Sequence, residues 1–211
     1  MSQCPRAYSA RWDMGLLKVA VAVAFIAIAM VLILLKPPIC ITLYAGTAIY
    51  TAFIPAGLLV KWRLSKRFPL AFVVYFLSLL AAGAVVIAVP PIRAEYIELS
   101  RSQEKFFVEV LACPLGKILA VIQALALAPL VEEVVFRGIV FEEVKGRLGT
   151  TAAYLLSSIL FAFLHKPGLG AVPIFIIALA LAFAYNRYGL PASVLLHFIQ
   201  NAAALWLSKA S

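Results

Sequence analysis

Long apolar runs alternate with short charged segments along this chain, and the runs set the elements. A window of about 20 residues crosses the hydrocarbon core of a bilayer as a helix, and about seven such windows fit: 16–35, 39–60, 68–90, 115–140, 151–165, 170–186 and 190–208. The stretch RAEYIELSRSQEKFFVEVL, 93–111, breaks the series. Its apolar Tyr96, Ile97, Phe106, Phe107, Val110 and Leu111 are interleaved with charges of both signs, the pattern of a helix lying in the interface rather than crossing it. No internal repeat, Gly/Ser linker or low-complexity tract interrupts the chain. The expected fold is all-α: a polytopic membrane helix bundle of about seven transmembrane helices plus one interfacial amphipathic helix, forming a single membrane domain over 1–211.

Composition agrees with the pattern. The chain is 65% hydrophobic and 13% charged, with a mean hydropathy of +1.05. Soluble domains sit nearer half apolar and a quarter charged. A net charge of +9 suggests nucleic acid in a soluble protein, but here the basic residues cluster between apolar runs. No nucleic-acid partner is therefore expected, and membrane lipid is. Arg6, Arg11 and Lys18, the loop with Lys61, Arg63, Lys66 and Arg67, and the turns with Lys145, Arg147 and Arg187 all fall on one side. The other side holds Lys36, a charge-balanced 93–105, Lys166 and Lys209. The excess of basic residues predicts a cytoplasmic N-terminus in an integral, multi-pass cell-membrane protein. The first run continues through Leu35 with no A-x-A site after it, so it reads as a retained span. Cys4, Cys40 and Cys113 are odd in number, widely spaced and lack a CxxC pair. They read as small buried residues, with neither a disulfide framework nor a thiolate metal site.

Polar residues inside the apolar runs change the picture. In LAPLVEEVVFRGIVFEEV, 127–144, Glu132, Glu133 and Arg137 stand where charge is costly, about 2.5–3.5 kcal/mol per central residue. Glu133 and Arg137 are four apart and stack on one helical face as an ion pair. Glu132 points about 100° away from Glu133, and Pro129 disturbs the helix just before them. Glu142 and Glu143 meet the basic loop and read as solvated. In FAFLHKP, Phe161 and His165 share a face. In GLPASVLLHFIQN, Ser193, His197 and Asn201 form a polar line.

Depth brings these groups together. At about 1.5 Å per residue, Glu132 lies about 15 Å from Glu142, and His165 about 21 Å from Thr151. His197 and Asn201 lie about 10 and 16 Å from Leu190, so one slab of the membrane holds all four groups. A carboxylate and a neutral imidazole can hold a water and take its proton, while a second imidazole and an amide donate to a developing oxyanion. Those are the needs of amide hydrolysis by water. Three alternatives remain open. Glu132, His165 and His197 can instead bind zinc with one open position, although there is no H-E-x-x-H pair. The same residues can lock the bundle of a non-catalytic membrane immunity or scaffold protein. Buried Glu and His also serve proton relays in transporters, whose inverted repeats are not apparent here. Ser193 lacks a nucleophile-elbow setting.

The segments EEVVFRG, FAFLH and GLPASVLLHFIQN resemble the successive EExxxR, FxxxH and HxxxN motifs of the CAAX protease and bacteriocin-processing family, which includes the Rce1-like type II CAAX prenyl endopeptidases. The resemblance covers about 115–205. It implies a glutamate-dependent intramembrane endopeptidase with Glu132 as general base and His165 helping to activate water. His197 and Asn201 would form the oxyanion site, Glu133 and Arg137 would orient the base, and Phe161 would pack beside it. No metal cofactor is expected on this reading. The implied substrate is a membrane-associated peptide or prenylated CAAX protein losing its C-terminal tripeptide, at a site open to the cytoplasm.

Overall fold

The computed structural model describes residues 5–207, with side chains from 14 to 206. Cys4, Lys209 and the side chains of Arg6 and Arg11 lie outside the described residues. Every regular element is helical: α1 Pro5–Leu35, α2 Ile39–Phe53 with a 3₁₀ continuation Ile54–Leu59, α3 Leu70–Ala88, α4 Pro90–Glu109, α5 Gly116–Leu148, α6 Thr150–His165, α7 Ala171–Tyr188 and α8 Leu190–Leu207. Among the described residues, five helical segments are long and apolar enough to cross a membrane: Met14–Leu35, Ile39–Leu59, Leu70–Ala88, Gly116–Leu148 and Ala171–Tyr188. Thr150–His165 and Leu190–Trp206 are apolar but shorter, so the expected positions hold while the count of seven full crossings does not follow from length alone.

α5 is the axis of the bundle. Its Val131, Val135, Phe136 and Ile139 pack with Ala22 and Phe25 of α1, Phe161 of α6 and Ala178 of α7 in one buried cluster. α7 carries buried Ala178, Ala180, Ala182 and Ala184, and small side chains let neighbouring backbones approach where no hydrophobic force separates protein from lipid. The turn from α7 to α8 is Gly189, at φ 100°, and a side chain there would run into the Arg63 carbonyl. That contact, with Ser65 N–H donating to Tyr188 O at 2.9 Å, seats the basic 60–69 loop on the α7 end.

The two ends of the bundle differ in chemistry. One gathers Lys18, Lys61, Arg63 and Lys145 around a cavity of about 250 Å³ that also touches Glu142 and Asn186. The other carries α4, which begins at Pro90 where its missing N–H costs nothing. α4 is attached at that end from the α6–α7 turn to the start of α2. Gly170 N–H donates to Glu95 Oε2 at 2.9 Å, and Lys166 pairs with Glu98 at 3.5 Å. Cys113, just beyond α4, is disulfide-bonded to Cys40 at the start of α2. This corrects the reading of Cys40 and Cys113 as unpaired buried residues. Their 73-residue separation hides the pairing, since only the return of α3 and α4 brings the two to one end.

Candidate active site

α5 supplies both carboxylates from a helix that changes pitch around them. Gln123–Leu127 and Val134–Phe141 are π-helical, and the α-helical turn Ala128–Glu133 lies between. The disturbance expected at Pro129 takes this form: an N–H that cannot donate is accommodated by a wider turn without breaking the helix. Such turns recur at functional sites because they redirect side chains and release carbonyls.

Glu133 and Arg137 are fully buried and pair at 3.0 Å through Arg137 Nη1 and Glu133 Oε1. Arg137 Nη2 donates to Ala178 O at 3.1 Å, within reach because α7 presents an alanine there. The guanidinium also lies 4.4 Å from the Phe161 ring centroid, over its face. His197 Nδ1 lies 3.0 Å from Glu133 Oε1. A carboxylate only accepts, so Nδ1–H is the donor and Nε2 is left facing the cavity.

Glu132 is held differently. Tyr50 of α2 donates its phenol proton to Glu132 Oε1. Oε2 is buried, accepts no hydrogen bond from the protein, and lies 3.7 Å from His165 Nε2 and 3.8 Å from His197 Nε2. His165 Nδ1 is 2.8 Å from Phe161 O, an obligate acceptor, so its N–H is committed there and Nε2 points inward. Phe161 stacks on His165 at 4.3 Å and meets His197 edge-on at 5.5 Å. One aromatic ring thereby fixes both imidazoles and backs the arginine.

Asn201 lines the same cavity, with Nδ2 donating to Ala124 O at 2.8 Å, a carbonyl in the first π-helical turn. Ser193 is buried, bonded to Leu190 O and beside the Glu133 carboxylate, one turn from the histidine. Glu132, His165, His197 and Asn201 thus meet around one space, with Glu133, Arg137 and Phe161 behind them. Glu142 and Glu143 stay at the basic end, in ion pairs with Lys145 and Arg147.

The zinc alternative would draw on Glu132 Oε2 and the Nε2 atoms of His165 and His197, 3.7 and 3.8 Å from it. Ligands at zinc distances in a tetrahedron lie about 3.4 Å apart, closer than Glu132 Oε2 to either Nε2. No group of three or more His, Cys, Asp or Glu among the described residues has a metal-holding arrangement.

The space is a cavity of about 390 Å³ running from Glu132, His165 and His197 past Phe106 and Phe107 to Ser102 and Gln103 of α4. The mouth lies at the α4 and disulfide end, opposite the basic loops on the N-terminal side. Depth along the helices told how far in the groups lie but not which end was free. α6 stops at His165, short of a full crossing, which leaves room on that side, and Glu133, Arg137 and Ser193 close the other.

Tyr50 is the residue that sequence reasoning missed. It lies 82 positions from Glu132, and a tyrosine in an apolar helix carries no spacing signal. Thr47, one turn earlier, bonds Gln123 Oε1 at 2.9 Å, so this face of α2 is polar only where it meets α5.

No curated protein and no solved structure matches the chain. A family model described as type II CAAX prenyl endopeptidase Rce1-like matches residues 114–203, the stretch from the start of α5 into α8 that supplies all three motif segments. Over residues 114–203 the chain is similar to the Rce1-like type II CAAX prenyl endopeptidase family.

Proposed function

We propose that this protein is an intramembrane endopeptidase in which Glu132 activates a water molecule. The observation that carries the reading is Glu132 Oε2, buried without a protein donor and faced by the Nε2 atoms of two imidazoles. A water between these atoms gives one proton to Glu132 Oε2 while His165 Nε2 accepts its other hydrogen bond. Its oxygen attacks the scissile carbonyl carbon. The resulting oxyanion takes hydrogen bonds from His197, protonated at Nε2, and from the Asn201 amide. Collapse breaks the C–N bond, and the proton held by Glu132 passes to the leaving nitrogen. Glu133 positions His197, and Arg137 holds Glu133 in place. Tyr50 holds the Glu132 carboxylate so that Oε2 faces the water.

The cavity wall is mainly apolar, with Phe106, Phe107, Ala124, Ala128 and Ala204, which suits a peptide bearing an apolar or lipid-modified end. The prenylated CAAX terminus of the family description is one member of that class. For orientation, the clustering of basic residues supports a cytoplasmic N-terminus, and the disulfide at the opposite end agrees, because disulfides persist in oxidising compartments.

The test is purified protein in lipid with two peptides, one farnesylated and ending in a CAAX sequence, the other an unlipidated membrane segment, with products read by mass spectrometry. Wild type is expected to cleave one or both, and Glu132→Gln and His165→Ala neither. A strong chelator is expected to leave the rate unchanged; loss restored by zinc would favour the zinc-dependent version of the protease. Absence of cleavage by the wild type would overturn the reading in favour of a scaffold or immunity role.

A further inference from the structure

We infer that the basic end of the bundle is a binding site for a phosphate-bearing anion, the headgroup of an anionic phospholipid or a free phosphate. Lys18 of α1, Lys61 and Arg63 of the loop after α2, and Lys145 of α5 converge on one cavity of about 250 Å³. The four cations come from three separate stretches of chain, and one carboxylate, Glu142, lines the cavity with them. Glu142 is already engaged, 4.0 Å from Lys145 Nζ and beside the Tyr185 hydroxyl. Among the described residues no carboxylate pairs with Lys18, Lys61 or Arg63. Like charges gathered in a concave space repel one another, and a bound anion relieves that repulsion.

Two glycines build the cavity. Gly138, which follows Arg137 in the EEVVFRG segment, plays no part around Glu132. A methyl group on it would come within 2.7 Å of Val60 Cγ1, so the missing side chain lets the loop lie against α5. Gly189 acts likewise at the α7–α8 turn, at φ 100°, where a side chain would strike the Arg63 carbonyl. The loop that carries Lys61 and Arg63 is thereby seated on two elements. Lys145 is held as well: it donates to Asn186 Oδ1 at 2.8 Å, and Asn186 Nδ2 donates to Tyr154 OH at 3.0 Å. A planar guanidinium and three ammonium groups suit the oxygens of a phosphate. Drug-sized ligands take about 300–1,000 Å³, so this space is of headgroup size.

Depth favours a lipid source. The cavity lies where apolar segments stop: Lys18 near the start of Met14–Leu35, Lys61 just after Ile39–Leu59, Lys145 in the last turn of Gly116–Leu148 and Tyr185 in the last turn of Ala171–Tyr188. Trp62 and Leu64 of the same loop are exposed, and tryptophan collects at headgroup level. Basic pockets between membrane helices at that level take anionic headgroups. This holds whichever side of the membrane the basic end faces. No residue lines both this cavity and the one at Glu132, so the site stands apart from the endopeptidase reading.

The experiment uses the purified full chain in detergent, read by native mass spectrometry and thermal unfolding. One arm adds phosphatidylglycerol against phosphatidylcholine of the same acyl chains; the other adds inorganic phosphate against chloride at equal ionic strength. Preferential retention of phosphatidylglycerol with a raised unfolding midpoint identifies a headgroup site, and stabilisation by inorganic phosphate alone identifies a free-phosphate site. Lys61→Gln with Arg63→Gln, and separately Lys18→Gln, are expected to weaken that binding about five-fold for each cation removed. Lys66→Gln with Arg67→Gln takes the same charge from the exposed loop outside the cavity, and is expected to change it by less than about two-fold. Lys18→Gln leaves the loop intact and decides the matter if the loop variant misfolds. Binding of neither ligand by the wild type, or a folded cavity variant no weaker than the outer pair, overturns the inference.

Discussion

The N-terminal spans and the motif-bearing helices are both strongly apolar, yet they use that composition in opposite ways. In α1, α2 with its 3₁₀ extension, and α3, only 11%, 11% and 17% of the spanning windows are buried, against 44% in both α5 and α7. The first group turns Leu16, Val23, Ile33, Phe76 and Leu77 outward, where lipid meets them. The second buries a glutamate pair, an arginine and a histidine among alanines and phenylalanines. Apolar side chains gain little from one another in a bilayer, so the tight region is built from small residues and polar bonds. The loose region is a wrap, bonded to the core through Tyr50 on Glu132, Thr47 on Gln123, Tyr75 on Gln200 and Cys40 on Cys113.

That contrast is open to attack by substitution. The largest expected effect is on rate: Glu132→Gln should lower cleavage by about 10²–10⁴-fold, the usual share of a general base, with the thermal midpoint in detergent nearly unchanged. Retained activity would remove Glu132 from the chemistry. Next is Arg137→Leu, which strands the Glu133 carboxylate in the core. It should cost about 3–5 kcal/mol in denaturant unfolding, and pairing it with Glu133→Gln should recover much of that loss. Replacing both Cys40 and Cys113 by serine should cost about 2–4 kcal/mol through the freed 73-residue connection, read as a lower unfolding midpoint under oxidising conditions only. Tyr50→Phe removes one hydrogen bond to a charged group, worth about 1.5–3 kcal/mol. It should appear mainly in kcat, with KM little changed, whereas a purely structural tyrosine would move the melting midpoint instead. Smallest is Ile33→Ala on the outward face of α1, expected within about 0.5 kcal/mol of wild type. A large loss there would mean that the wrap is packed against a partner.

How much was legible before any coordinates varied with the range of the interaction. The α4 segment was readable because its charges and aromatics alternate within a few turns. The Glu133–Arg137 pair was readable because four residues on one helix place two side chains together whatever surrounds them. The convergence of Glu132 with His165 and His197 followed from depth, a quantity that rise per residue supplies. Failures came where separation in sequence was long and no periodicity spoke. Tyr50 and the cysteine pair each depend on which helix stands beside which.

The sequence by itself determined what must lie in lipid, which charges are buried and at what depth, because transfer energies and helical rise act residue by residue. Tertiary structure alone decided the rest: which carboxylate keeps an unpaired oxygen, which phenol steadies it, which cysteines meet, and that the short helix ending at His165 leaves the cavity open on the disulfide side. Those outcomes arise from the packing of separate helices, where each position is set by neighbours that a one-dimensional pattern does not specify.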